Sequence, residues 1–322
     1  MPAFPLEHAL VVAAALWLTL AIDCWLGEPA ARWHPVVWMG QYLGWIGSRI
    51  APPAAKAKPR DLALFAIGAL TWCVGAICVG MVAAGVQAAM VQWLPAWALA
   101  MAMAFALKPL FAWRMLHDEV LAVEAALGVS LDAGRAQLAR LVSREVSMLS
   151  EREVRESAVE SLAENLNDSL VAPLFWFVLL GLPGAAVYRF ANTADAMWGY
   201  RGERNGRDWT WFGKWAARTD DVLSWLPARL TAGLLALAAW QWPAGVAREA
   251  RRTPSPNSGW PMAAMALLLG VRLAKPGVYA LNAEGRPAEA ADTHRAAQLG
   301  GWAALALAVC ASLAILAATV WA

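Results

Sequence analysis

Apolar residues run on for the thickness of a bilayer at several places in this chain, and polar residues collect in the gaps. A hydrocarbon core of about 30 Å needs about 20 apolar residues as helix. Residues 9–26, 62–86, 93–111 and 300–321 meet that length, and 222–242 meets it with Arg229 as an interruption. Each predicts a helical span. Residues 260–273 are apolar but short, which predicts a buried or interfacial helix. The run 170–197 is too long for one span, too short for two, and broken by Gly181, Pro183 and Gly184. A re-entrant helical hairpin fits it and would need a polar chamber around its non-helical backbone. That reading keeps the loop 201–218 cytosolic; the rival, an ordinary span over 170–188, sends the loop outside.

The gaps set the orientation. Residues 27–61 carry Arg32, Arg49, Lys56, Lys58 and Arg60, whereas 87–92 carry no charge. The positive-inside tendency therefore places 27–61 in the cytoplasm and the N-terminus outside. It returns 112–169 to the cytoplasm, with Arg114, Arg135, Arg140, Arg144, Arg152 and Arg155 agreeing. Within that stretch a helical insertion is expected over 114–168. Ser130 is a plausible helix start, and SREVSMLSEREVRESAVESLAENL has helical spacing and no proline. No alternating strand pattern occurs, so an all-α, polytopic membrane protein is predicted over 1–322 as one domain. The first apolar run follows Glu7 and His8 rather than a basic segment and reads as a retained helix.

Composition agrees: 60% of the 322 residues are hydrophobic and 20 are tryptophan, unlike a soluble domain. A net charge of +2, with scattered arginines, argues against a nucleic-acid partner. The four cysteines lie in apolar runs without a CxxC pair, which suggests packing rather than disulfides or zinc. HExxH, GxxxxGK[ST], GxSxG and GxGxxG are all absent, so a nucleotide site here is not a Walker P-loop.

Four polar clusters carry candidate chemistry. In ESLAENLNDSLVAPLFW, Glu160 and Glu164 are four apart, with Asn167 and Asp168 a turn further on. Like charges at that spacing repel, and Mg²⁺ is commonly held by one or two carboxylates plus substrate phosphate. Glu151, Glu153 and Glu156 have interleaved basic neighbours and read as a solvated face. The second cluster holds Asn192 and Asp195, three apart, followed by Arg201, Glu203 and Arg204. The third holds Arg218, Asp220 and Asp221 at a helix start, with Arg229 further in. The fourth is RRTPSPNSGWPMAAMA, in which Asn257, Ser258 and Gly259 offer donors for an anion-binding loop or form a plain one. His34, near the N-terminus, reads as an acid or base or as a structural residue. Because acids at a membrane boundary and Arg229 in an apolar run need partners or water, the clusters are expected to line one open cytosolic cleft.

These clusters, in this order, resemble the CobD/CbiB family of cobalamin-biosynthesis membrane amide synthases. The resemblance runs from IDCWLGEPAARWHPVVWMGQYLG at 22–44 through LVSREVSMLSEREVRESAVESLAENLNDSLVAPLFW, NTADAMWGYR, GKWAARTDDVLSWLPARLT and SPNSGWPMAAMALLLGVRL to KPGVYALN at 275–282. It implies ATP- and Mg²⁺-dependent joining of adenosylcobyric acid, a corrinoid, to (R)-1-aminopropan-2-ol or its O-phosphate, at the cytosolic face of a bacterial inner membrane. Other enzymes of the pathway would be natural partners. On that reading Glu160, Glu164, Asn165, Asp195, Asp220 and Asp221 are catalytic candidates. Glu164, Asn167 and Asp168 would hold metal, and Asn192, Arg201, Arg204, Arg218, Arg229, Ser255, Asn257 and His34 would bind substrate or phosphate. Two departures stand out: Ser224 where the pattern leads us to expect Asn, and a long Trp-rich loop, RGERNGRDWTWFGKW. The competing class is an AmpE-like membrane sensor, which would not need every cluster; a transporter would need a duplicated hydropathy pattern, and none is seen.

Overall fold

The computed structural model describes residues 6–321. In chain order its helices begin with α1 (Leu6–Leu26), α2 (Pro35–Ile50), α3 (Leu62–Trp93), α4 (Ala96–Leu107), α5 (Trp113–Leu127), α6 (Leu131–Leu138) and α7 (Glu151–Leu166). They continue with α8 (Ala172–Trp198), α9 (Lys214–Leu223), α10 (Trp225–Ala238), α11 (Val246–Ala250), α12 (Gly259–Leu269) and α13 (Ala290–Trp321). Five helical stretches are long and apolar enough to cross a membrane: Leu6–Leu26, Leu62–Trp93, Ala96–Leu127, Glu151–Trp198 and Ala290–Val320.

Several expectations are corrected. The chain is mostly helical but not wholly so: β1 (Glu203–Arg204) pairs with β2 (Arg207–Asp208), and β3 (Leu273–Lys275) with β4 (Tyr279–Leu281), both antiparallel. Asn205 and Gly206 turn the first hairpin with φ of 52° and 74°, the conformation an Asn-Gly turn supplies. The helix read from Ser143 onward begins only at Glu151. Ser150 caps it, accepting from the Glu153 amide while the Glu153 carboxylate accepts from the Ser150 amide at 2.8 Å. The 222–242 run is not one helix, since Ser224 separates α9 from α10.

The chain divides into two compact units. One comprises Met1–Phe111, Ala172–Leu223 and Ile315–Ala322. In it α3 packs on α8, α1 on α4, and α9 on both α3 and α8. Small residues allow the close α1–α4 approach: Ala15 and Ala104 are fully buried, and Thr19 donates to the Ala15 carbonyl at 2.6 Å and the Ala104 carbonyl at 3.4 Å. Gly68 of α3 meets Phe212, whose carbonyl oxygen would lie 2.1 Å from any added Cβ. Helix α8 is interrupted at Gly181, with φ 69° and ψ −157°, within the stretch where the sequence predicted a break. The Gln87 side chain accepts the Leu182 amide there at 2.8 Å, replacing a lost helical partner.

The other unit comprises Ala112–Val171 and Ser224–Ala314. Its centre is α12, the short apolar helix of the sequence, buried along most of its length against α7, α10 and α11. Arg155 of α7 makes a two-pronged pair with Glu124 of α5 at 2.9–3.0 Å, and Thr293 of α13 donates to the same carboxylate at 3.1 Å. Glu156 is buried, not solvated, with Arg152 3.6 Å away. All four cysteines are free, and Cys24, Cys78 and Cys310 are exposed rather than packed inside.

Candidate functional site

The acidic helix α7 and the β3–β4 hairpin meet in the second unit. Pro276 and Gly277, the latter at φ 74°, make a tight turn closed by the Val278 amide on the Lys275 carbonyl at 3.0 Å. The turn sets Lys275 opposite Tyr279 across the hairpin. On α7 the four-residue spacing puts Glu160 and Glu164 on one face. The Tyr279 hydroxyl donates to Glu160 at 2.5 Å, and Arg144 donates to the other oxygen of that carboxylate at 3.2 Å. Burial and the Glu160 charge push the Tyr279 phenol far above its ordinary range, so it remains a donor.

Glu164 is different. No hydrogen bond or close ion pair to the described residues satisfies its carboxylate, although Asp168, Glu160, Lys275 and Arg144 all act on it electrostatically. It lines a cavity of about 140 Å³ with Ser143, Arg144, Glu160, Ser161 and Lys275. Asn165 lies at the edge of this cavity and of a second one of about 320 Å³ lined by Glu119, Arg140 and Ser169. Its amide donates to the Ser161 carbonyl at 2.9 Å. Just beyond, Asn167–Val171 forms a turn of π-helix, a local widening common at functional sites. The Asn167 amide donates to Asp168 at 2.7 Å and its oxygen accepts from Thr231 at 3.2 Å. Among the described residues no three His, Cys, Asp or Glu side chains stand ready to hold a metal ion by themselves.

Arg229 and the SPN loop also come together in this unit. The Arg229 guanidinium donates to Asn257 at 2.9 Å and to the Pro256 carbonyl at 3.1 Å, and it packs against the rings of Trp225 and Trp260, 4.3 and 4.8 Å from their centroids. Ser255 accepts the amides of Asn257 and Ser258, both at 3.2 Å. The loop's groups therefore largely bond to one another, and the arginine inside the apolar run pins the loop to α10. Ser224 is buried.

The remaining candidates lie in the first unit. Arg189 donates to Asn192 at 3.4 Å, and Asn192 reaches Asp220 of α9 at 3.5 Å. Arg201 and Arg218 place positive charge near Asp221. Arg204 stacks on Tyr200, 3.8 Å from the ring centroid. An added Cβ at Gly199 would fall 2.7 Å from the Asp195 carbonyl oxygen, so a larger residue there would force the backbone to shift. His34 joins a partly buried clamp: its ring hydrogen-bonds Glu28 at 3.1 Å, and the buried Lys108 reaches Glu28 at 2.7 Å and Asp23 at 2.9 Å. Burial would raise the Glu28 carboxyl, but the hydrogen bonds and charges of His34 and Lys108 outweigh it and hold the group below its ordinary value. The four sequence clusters thus fall into two sets, Glu160 to Asp168 with Arg229 and Asn257 in one unit, and Asn192 to Asp221 in the other.

The family model described as CobD/Cbib protein matches residues 16–318. The chain belongs to the CobD/CbiB family. Relatives named "Probable cobalamin biosynthesis protein CobD" include one from Thermococcus kodakarensis, 42% identical over 84% of this chain and 85% of its own length. Another, from Methanothermobacter thermautotrophicus, is 38% identical over 88% and 90%. A "Cobalamin biosynthesis protein CobD" from Rhodobacter capsulatus is 37% identical over 85% and 86%. No solved structure matches. The CobD/CbiB resemblance read from the sequence is thereby established, and with it a place in cobalamin biosynthesis.

Sequence reasoning missed two residues lining this small cavity, Arg144 and Lys275, and Tyr279, which bonds Glu160 beside it. KPGVYALN carried the family likeness without a role, yet its Pro-Gly dipeptide signals a turn that sets the flanking Lys275 and Tyr279 side by side. From the sequence, Arg144 marks sidedness alone. Nothing local tells that it lies in a loop folded against α7.

Proposed function

We propose that this chain is an ATP-dependent acid–amine ligase, joining the propionate of an adenosylated cobyric acid to (R)-1-aminopropan-2-ol or its O-phosphate. The product would be adenosylcobinamide or its phosphate. The observation that carries the reading is Glu164, a carboxylate with no hydrogen bond or close ion pair among the described residues, in a small cavity that also holds Arg144 and Lys275. A lone, half-buried acid beside further acids calls for a cation. Mg²⁺ takes one or two carboxylates together with water and phosphate oxygens, so Glu164 with Asp168 suits it without a preformed triad. Asn167 would serve through its position beside Asp168. The bound ion would neutralise phosphate charge while phosphate activates the propionate and the amine displaces it.

The other unit holds further candidates by residue type, Asp195, Asp220 and Asp221 as carboxylates able to take the proton of an ammonium and Arg201, Arg204 and Arg218 as cations for carboxylate or phosphate. A cavity of about 140 Å³ is below the usual ligand-pocket range of roughly 300–1,000 Å³, so the corrin body stays outside it. On this reading 112–169 faces the cytosol of a bacterial inner membrane and 170–197 is re-entrant. The test is direct: purified protein in lipid nanodiscs receives adenosylcobyric acid, MgATP and either amine. Amide product with stoichiometric ADP supports the proposal. No product with either amine refutes it.

A further inference from the structure

We infer that Arg144 and Lys275 form a subsite for a terminal phosphate group that arrives with a divalent cation, and that Tyr279 positions Glu160 within it. The inference deepens the synthase reading and rests on it for the identity of the phosphate. Arg144 carries more donors than Glu160 uses: one nitrogen bonds the carboxylate at 3.2 Å, while Nε and Nη1 are buried without a partner. Lys275 has no hydrogen bond or ion pair for its ammonium among the described residues and lines the same cavity. Ser143 and Ser161 add hydroxyls.

Size and charge narrow the ligand. At about 30 Å³ per water, about 140 Å³ holds four or five waters, enough for one phosphate group and too little for a nucleoside or a corrin. Arg144 and Lys275 are balanced by Glu160 and Glu164, so a bare phosphate dianion meets no net attraction. A divalent cation at Glu164 reverses that balance. Phosphate and cation should therefore bind together, each weakly alone. Tyr279 occupies one oxygen of Glu160 and Arg144 the other, which turns Glu160 into a brace for Arg144 and leaves Glu164 as the open carboxylate.

Two phosphates of the proposed reaction fit, the terminal phosphate of ATP and the O-phosphate of aminopropanol phosphate. Calorimetry on the full-length protein in nanodiscs separates them, with each ligand titrated in the presence and absence of Mg²⁺. Lys275→Met should weaken one of the two Mg²⁺-dependent associations about tenfold or more, and leave binding of unphosphorylated aminopropanol unchanged. The ligand that weakens identifies the source. Tyr279→Phe should raise the Mg²⁺ concentration needed for phosphate binding, measured well below its unfolding temperature, a result that a purely structural tyrosine would not give. Wild-type binding of both phosphates by Lys275→Met, with Mg²⁺ dependence intact in Tyr279→Phe, would overturn the subsite. Weakened phosphate binding in a protein that makes no amide would support the subsite and sink the synthase. Amide synthesis at wild-type KM for both phosphate substrates in Lys275→Met would do the reverse.

Discussion

Lys108→Met should destabilise the first unit far more than an ordinary surface change. Lys108 and Asp23 are 4% and 0% exposed, and the ammonium holds Asp23 at 2.9 Å and Glu28 at 2.7 Å. Removing one partner of a buried pair typically costs about 3–5 kcal/mol, because the opposite charge stays buried and unpaired. At roughly 2 °C per kcal/mol for a large chain, the expected fall in unfolding temperature is about 6–10 °C. Tryptophan fluorescence during heating in detergent would read it. Arg248→Met is the control, since the Arg248 side chain is 80% exposed and its pairing should be worth about 1 kcal/mol or less. Adding Asp23→Asn and Glu28→Gln to Lys108→Met should recover part of the loss by removing the stranded charges. The acid side gives a second check. The Glu28 carboxyl is held below its ordinary 4.5, so its contribution is fully present above that value and disappears as pH falls through the lower, folded-state value. Lys108→Met should flatten this loss. A variant no less stable than the Arg248→Met control would refute the clamp and return His34 to the list of substrate-binding candidates.

Glu164→Gln should abolish amide synthesis while leaving membrane insertion intact, because size is kept and only the charge is removed; wild-type turnover would take Glu164 out of the site. A cysteine at Gly206 should react with impermeant maleimide only after the inner membrane is opened, if the loop is cytosolic; labelling in intact spheroplasts would make 170–197 an ordinary span. Arg229→Ala should free the SPN loop, measured as faster amide exchange over 253–258, whereas unchanged exchange would show that the loop holds itself.

Much of this chain was legible because membrane constraints act locally. Hydropathy alone located α1, α3 and α13 and the short buried α12, since a span must carry its own apolar surface and satisfy its own backbone. The Gly181 break was visible for the same reason, as was the helical spacing of Glu160 and Glu164. The two hairpins escaped a search for alternating strands because each strand is only two or three residues long, although both turns were written in plain dipeptides, Asn-Gly and Pro-Gly. Reading helix through 143–150 failed because apolar spacing outweighed the Ser150 cap, and with that error Arg144 was lost from the site.

The sequence by itself determined the family, the helices long and apolar enough to cross a membrane and the identity of the acidic helix. Only the tertiary structure decided what those acids face. Glu160 meets Tyr279 across 119 residues of chain, and Arg229 meets Asn257 across 28. It also separated structural from available charge: Arg229 is bonded to its own loop and His34 to a partly buried clamp, while Glu164 and Lys275 remain open to a small cavity. Residue type and spacing were silent on that distinction, because whether a charged side chain is satisfied depends on which distant groups folding brings within about 3 Å of it.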